Sequence, residues 1–132
     1  MIALILAAAA VPGAFNPDVT QATIATTICT PGWTAIARPP LGYTEGYKRI
    51  LVRRIHGRLA AFELDHAVPL ALGGAPFDHN NLWLEPIAEA KRKDRLEVKL
   101  QHLVCKGALT LDQARAEEWP DWQASYRARI KR

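Results

Sequence analysis

Three features predict a mixed α+β domain: two short segments with apolar residues two apart, Phe62 and Leu64 in one and Leu82 and Leu84 around Trp83 in the other, a loop rich in Gly and Pro between them, and a long following stretch that contains neither. The chain has 132 residues, 49% hydrophobic and 23% charged, with a mean hydropathy of -0.07. That balance belongs to one compact domain and excludes a disordered tail or a multispan membrane protein. A chain of this size buries roughly two thirds of the surface its unfolded form exposes, so it can fold without a structural metal.

The elements follow in order. Met1 to Val11 is entirely apolar, and no basic residue occurs before Arg38. Eleven residues are too few for a membrane span, which needs about 20. They fit the apolar stretch of an export signal, with small residues for cleavage behind it, so residues 1–14 are expected as a leader and 15–132 as one domain. The alternative is a frayed apolar N-terminus. Residues 30–43, with Pro31, Gly32, Pro39, Pro40 and Gly42, read as an irregular arm anchored by Trp33.

Thr44 is expected to cap a helix over 45–56, in which Tyr47, Ile50, Leu51 and Ile55 share a stripe and Gly57 supplies the stop. Lys48, Arg49, Arg53, Arg54 and Arg58 follow one another with no acid between them, so the other face is basic. Residues 58–66 read as a strand ending at Asp65 and His66; a long loop punctuated by Pro69, Gly73, Gly74, Pro76 and Asn80 follows. Residues 81–85 read as a second strand, ended by Pro86, with Trp83 taken as core.

From 87 to 105 there is no Gly or Pro, and Ile87, Ala90, Leu96, Leu100, Leu103 and Val104 form a stripe at helical spacing. Gly107 closes this helix. Thr110 and Gln113 make a capping-box pattern for the next, and Pro120 breaks that one before the core residues Trp122, Tyr126 and Ile130. Cys29 and Cys105 are an even pair, which in an exported chain implies one disulfide and in a cytosolic chain two buried thiols.

The chemistry concentrates in ELDHAVPLALGG from Glu63 to Gly74, NLWLEP from Asn81 to Pro86, and AKRKDRLE from Ala90 to Glu97. A carboxylate and an imidazole at one strand end can serve a single phosphate, Asp65 holding a cation while His66 reaches the attacking water. A helix crossing behind can add a ligand. Oxygen donors favour Mg2+, with Mn2+ or Zn2+ as alternatives, and no Cys-x-x-Cys pair exists for a structural zinc site.

These motifs resemble the HNH endonuclease family, built on the ββα-metal motif, and are most similar to a small exported group with an Asp-His pair, a Gly-Gly loop and Asn-Leu-Trp. The core resemblance covers about 58–105; residues 16–34, KDRLE at 93–97, LVC at 103–105 and a terminal Trp and Tyr extend it. It implies a ββα core with flanking helices, Asp65 as metal ligand, His66 as general base, and Asn81 as the residue that holds the loop. Other members carry His or Asn at the helix position near which this chain has Asp94, with Glu97 one turn later.

The expected function is therefore a metal-dependent endonuclease acting on DNA, with RNA as the alternative substrate. Lys91, Lys93 and Arg95 are candidate phosphate contacts, or else a solvated helix face. His56 and His102 read as peripheral, and His79 as a surface loop residue whose place before Asn80 leaves a phosphate or metal role open. The second reading is a catalytically inactive nucleic-acid-binding module on the same scaffold; the third is an exported structural protein. Export, to a periplasm or outside the cell, and no membrane insertion once the leader is removed complete the expectation. Nothing in the sequence identifies an inhibitor partner.

Overall fold

The computed structural model describes residues 11–131, so the expected leader lies outside the described residues through residue 10. The end of that segment is packed structure. Gly13 N donates to Asn80 O at 2.9 Å, Ala14 N to Asn81 Oδ1 at 3.2 Å, and Trp119 Nε1 to Val11 O at 3.0 Å.

The fold is α+β. A 3-10 turn at Gln21–Thr26 leads to α1 (Trp33–Ala37) and α2 (Leu41–Arg54); β1 (Phe62–His66) and β2 (Leu82–Pro86) follow, then α3 (Ile87–Cys105), α4 (Leu111–Glu118) and α5 (Trp122–Arg129). The strands pair antiparallel, Phe62 opposite Pro86, Asp65 opposite Trp83 and His66 opposite Leu82. Because side chains alternate along a strand, one face carries Phe62, Leu64 and Leu84, which pack with Leu51 and Val52 of α2 and with Ile55 just after it. The opposite face carries Glu63, Asp65, Trp83 and Glu85.

The main core forms where Leu96, Leu100 and Val104 of α3 meet Leu111 and Ala114 of α4, Trp122 and Tyr126 of α5, and Val19, Ile28, Val68 and Leu72. Cys29 and Cys105 are disulfide-bonded, with Cα atoms 5.6 Å apart, tying the N-terminal arm to the end of α3. Among the described residues no helix is long and apolar enough to cross a membrane.

Several boundaries differ from the sequence reading. Pro40, not Thr44, precedes the first turn of α2; Thr44 lies inside the helix and its hydroxyl donates to Leu41 O at 3.0 Å. Proline tolerates that place because the amide hydrogen it lacks would have no helical partner there. The first strand is shorter than 58–66, since Leu59–Ala61 forms a 3-10 turn. The second includes Pro86, which sits at the strand end opposite Phe62. The arm at 30–43 contains α1 and the start of α2. The helix over 87–105 and the Thr110–Gln113 capping box match the expectation.

Candidate active site

The end of β1 places Asp65 and His66 on a groove of about 690 Å3, which is also lined by Glu63, Arg38 and Lys48, with Asp94 on its α3 wall. His66 is buried. Its Nε2 lies 3.0 Å from the carbonyl oxygen of Pro76. A carbonyl only accepts, so Nε2 carries the hydrogen and Nδ1 keeps the lone pair. Burial holds the imidazole pKa below its ordinary value, against the opposing effects of the Pro76 carbonyl and Asp65, so the ring is neutral near pH 7.

The loop that presents Pro76 is closed from inside by Asn81, which is 0% exposed. Its Oδ1 accepts from Val68 N at 2.9 Å and Ala14 N at 3.2 Å; its Nδ2 donates to Val68 O at 2.9 Å and Ala75 O at 3.0 Å. All four hydrogen-bonding positions of the amide are used. Gly74 permits this closure, because a Cβ there would stand 1.7 Å from Val68 O and 2.8 Å from Asn81 Nδ2. Gly73 has φ +74, and a Cβ there would meet Val19 and Arg115. Arg115 is buried and donates to Leu72 O at 2.8 Å and Val19 O at 3.1 Å, bracing the same loop from α4.

Lys93 is a correction to the sequence reading. It is 0% exposed, so it is not a phosphate contact; the helix turns it inward onto the stripe of Leu96 and Leu100. Its ammonium donates to His66 O and to Glu97 Oε1, both at 3.0 Å. It also lies 3.0 Å from Asp65 Oδ2 and 3.1 Å from Glu118 Oε1. Three N–H bonds thus serve four acceptors. Burial alone would lower the Lys93 pKa, yet Asp65, Glu97 and Glu118 together raise it well above its ordinary value. Burial would likewise raise Asp65, and the ammonium more than offsets it.

The cluster contains more acids than one lysine can neutralise. Glu85 is 1% exposed. Read as a carboxylate, it has two buried oxygens with no donor; protonated, it donates to Asp65. Burial and the Asp65 charge push it up to about 10. Burial also raises Glu118 to about 8 and Glu97 to about 7, partly opposed by Lys93.

Asp94 is exposed on α3. Burial first, then the charge of Asp65, raise its pKa; for Glu63, burial is followed by Asp65 and Asp94. The three carboxyls therefore act on one another across the groove. Two carboxylates, with water and substrate phosphate completing the shell, are a donor set that suits a hard divalent cation. Asp65 and Asp94 line the same groove, and Asp65 shares its Oδ2 with Lys93. Among the described residues no three His, Cys, Asp or Glu side chains form a group that could hold a metal ion.

Lys91 and Arg95 are exposed on α3 and do not line the groove. Arg95 turns to α5, donating to the Tyr126 hydroxyl at 3.2 Å. The groove cations are instead Arg38 and Lys48. Sequence reasoning missed Glu63 and Glu85, although the alternation in FELDH and LWLEP places both on the face of Asp65. Glu118 and Arg115 carry no local signal.

No protein-family model matches this chain, and comparison with curated proteins and with solved structures finds no significant match.

Proposed function

We propose that this chain is an exported, metal-dependent nuclease of the HNH-like ββα-metal type that hydrolyses DNA phosphodiester bonds. One observation carries the reading. His66, neutral and fixed through Nε2 to Pro76 O, keeps an unprotonated Nδ1 at a groove that also contains Asp65 and Asp94. That combination is what water activation beside a phosphate requires. The apolar start of the chain and the disulfide support export.

In the proposed reaction His66 Nδ1 takes a proton from water as the water oxygen bonds to phosphorus. The bond from phosphorus to the leaving oxygen breaks, and solvent protonates that oxygen. Asp65 and Asp94 would hold a divalent cation, and that charge would offset the negative charge on the phosphoryl oxygens. Arg38 and Lys48 draw the flanking phosphates into the groove. Asn81 fixes the loop, and Lys93 fixes the backbone of His66 and the carboxylate of Asp65.

Digestion of supercoiled plasmid with Mg2+, Mn2+, Zn2+ or chelator, with His66→Ala as the control, tests this reading. Cleavage is expected to need both the metal and His66; equal cleavage by wild type and variant would remove the assignment. The Lys93 ammonium on Asp65 favours a second reading, a binding module without turnover. That module predicts salt-sensitive, metal-indifferent DNA binding and no products.

A further inference from the structure

Beside the catalytic loop lies a ring cluster that the proposed hydrolysis does not use. Tyr43 and Phe77 meet edge to face with centroids 5.1 Å apart, and Tyr47 stacks on His79 at 3.9 Å and 12°. The Tyr43 hydroxyl donates to Phe77 O at 3.0 Å and lies 3.2 Å from His79 Nε2. The cluster joins α2 to the loop between the strands, yet it is not core: Phe77 is 52% exposed, and His79 is exposed as well.

Two relationships indicate an occupant. Phe77 directly follows Pro76, whose carbonyl fixes the His66 imidazole, so the exposed ring is one residue from the group that holds the base. The helix that supplies Tyr43 and Tyr47 also carries Lys48, Arg49, Arg53 and Arg54. Among the described residues none of these four cations is in an ion pair. Arg54 is near enough to Tyr47 for its charge to act on the hydroxyl. Exposed rings beside unpaired cations are the pattern that binds a single nucleic-acid strand, bases stacking on the rings while phosphates follow the charge.

We propose that the exposed rings of Phe77 and His79, backed by the half-buried Tyr43 and Tyr47, form a base-stacking platform that takes an unpaired DNA base, with Lys48, Arg49, Arg53 and Arg54 of α2 guiding the strand. The platform selects single-stranded or locally opened DNA over intact duplex, since a base must leave its own stack to lie on a ring. Placing that base next to the scissile phosphate rests on the nuclease reading; the binding itself does not.

The test is fluorescence anisotropy in chelator, which prevents metal-dependent cleavage, with a fluorescein-labelled single-stranded oligonucleotide and the duplex made from it. Wild type is expected to bind the single strand more tightly than the duplex. Phe77→Ala should weaken single-strand binding about tenfold, leave duplex binding unchanged, and be rescued by Phe77→Trp. The fold should survive the truncation, because the Phe77 ring is half exposed and the Tyr43 hydroxyl keeps its hydrogen bond to the Phe77 backbone when the edge-to-face ring contact is lost; circular dichroism checks this. Duplex bound as tightly as single strand, single-strand binding indifferent to Phe77, or no binding at all would each overturn the platform. Phe77-dependent binding without plasmid cleavage would retain the platform and remove the nuclease reading. Plasmid cleavage with Phe77-indifferent binding would do the reverse.

Discussion

The ammonium of Lys93 donates to the main-chain carbonyl of His66 at 3.0 Å, and the same nitrogen lies 3.0 Å from the carboxylate of Asp65. One buried cation on α3 therefore holds both residues at the end of β1, through the backbone of one and the side chain of the other. Glu118 reaches it from α4 and Glu97 from one turn further along α3.

Removing the cation should be costly. Lys93→Met leaves a buried acidic cluster without its counter-charge, and a loss of about 3–5 kcal/mol in urea unfolding is expected. Adding Asp65→Asn should recover part of that loss, because Asp65 is the carboxylate that the ammonium keeps charged and the defect is unpaired charge, not missing volume. Equal stability of the single and double variants would argue against the electrostatic account.

The cluster also sets how stability responds to pH. Glu85, Glu118 and Glu97 titrate at about 10, 8 and 7, above their ordinary value of 4.5. Between the unfolded and folded values the native state binds more protons than the unfolded state, so this contribution is full below the unfolded pKa and is lost as pH rises through the folded ones. Asp65, whose pKa is lowered, contributes in the opposite direction, at the acid end. Thermal unfolding should show Tm falling as pH rises from about 6 to 9. Glu85→Gln, which removes one of these protons from the balance, should flatten the slope; an unchanged slope would exclude Glu85 as a source.

Asn81→Ala should separate loop geometry from bulk folding. Truncation strands Val68 N, Val68 O and Ala75 O inside the protein, at a cost of at least about 2 kcal/mol. The loop that carries Pro76 should then loosen, and cleavage should fall more than helix content does. Nuclease assays and far-ultraviolet circular dichroism on one preparation measure both; wild-type cleavage would deny Asn81 its positioning role.

The Cys29–Cys105 bond joins residues 76 apart in sequence. In the loop-entropy model, reduction should destabilise the fold by about 4 kcal/mol. Denaturant titration with and without reductant, compared with a Cys29→Ala/Cys105→Ala double variant, checks that figure. Indifference to reductant would mean that the core of α3, α4 and α5 alone holds the arm.

Much of the scaffold is legible along the chain. The helix at Ile87–Cys105 follows from a stretch without Gly or Pro that carries an apolar stripe, and the cap of α4 from Thr110 and Gln113. Gly73, Gly74 and Asn81 stand out because only certain residue types permit so tight a loop. The start of α2 is not legible in the same way, because Thr44 and Pro40 are both helix-start residues and local chemistry alone does not choose between them.

Lys93 shows where such reading stops. Its spacing to Leu96 and Leu100 places it on the buried stripe, while its charge and its neighbours Lys91 and Arg95 suggest a solvated face. The groups that decide the matter are remote in sequence: Asp65 at the end of β1 and Glu118 at the end of α4. Periodicity, capping and turn chemistry depend on near neighbours and so are written in the sequence of this protein. The burial of a charge depends on partners that only the packed fold assembles, and the tertiary structure alone decided that this lysine faces inward.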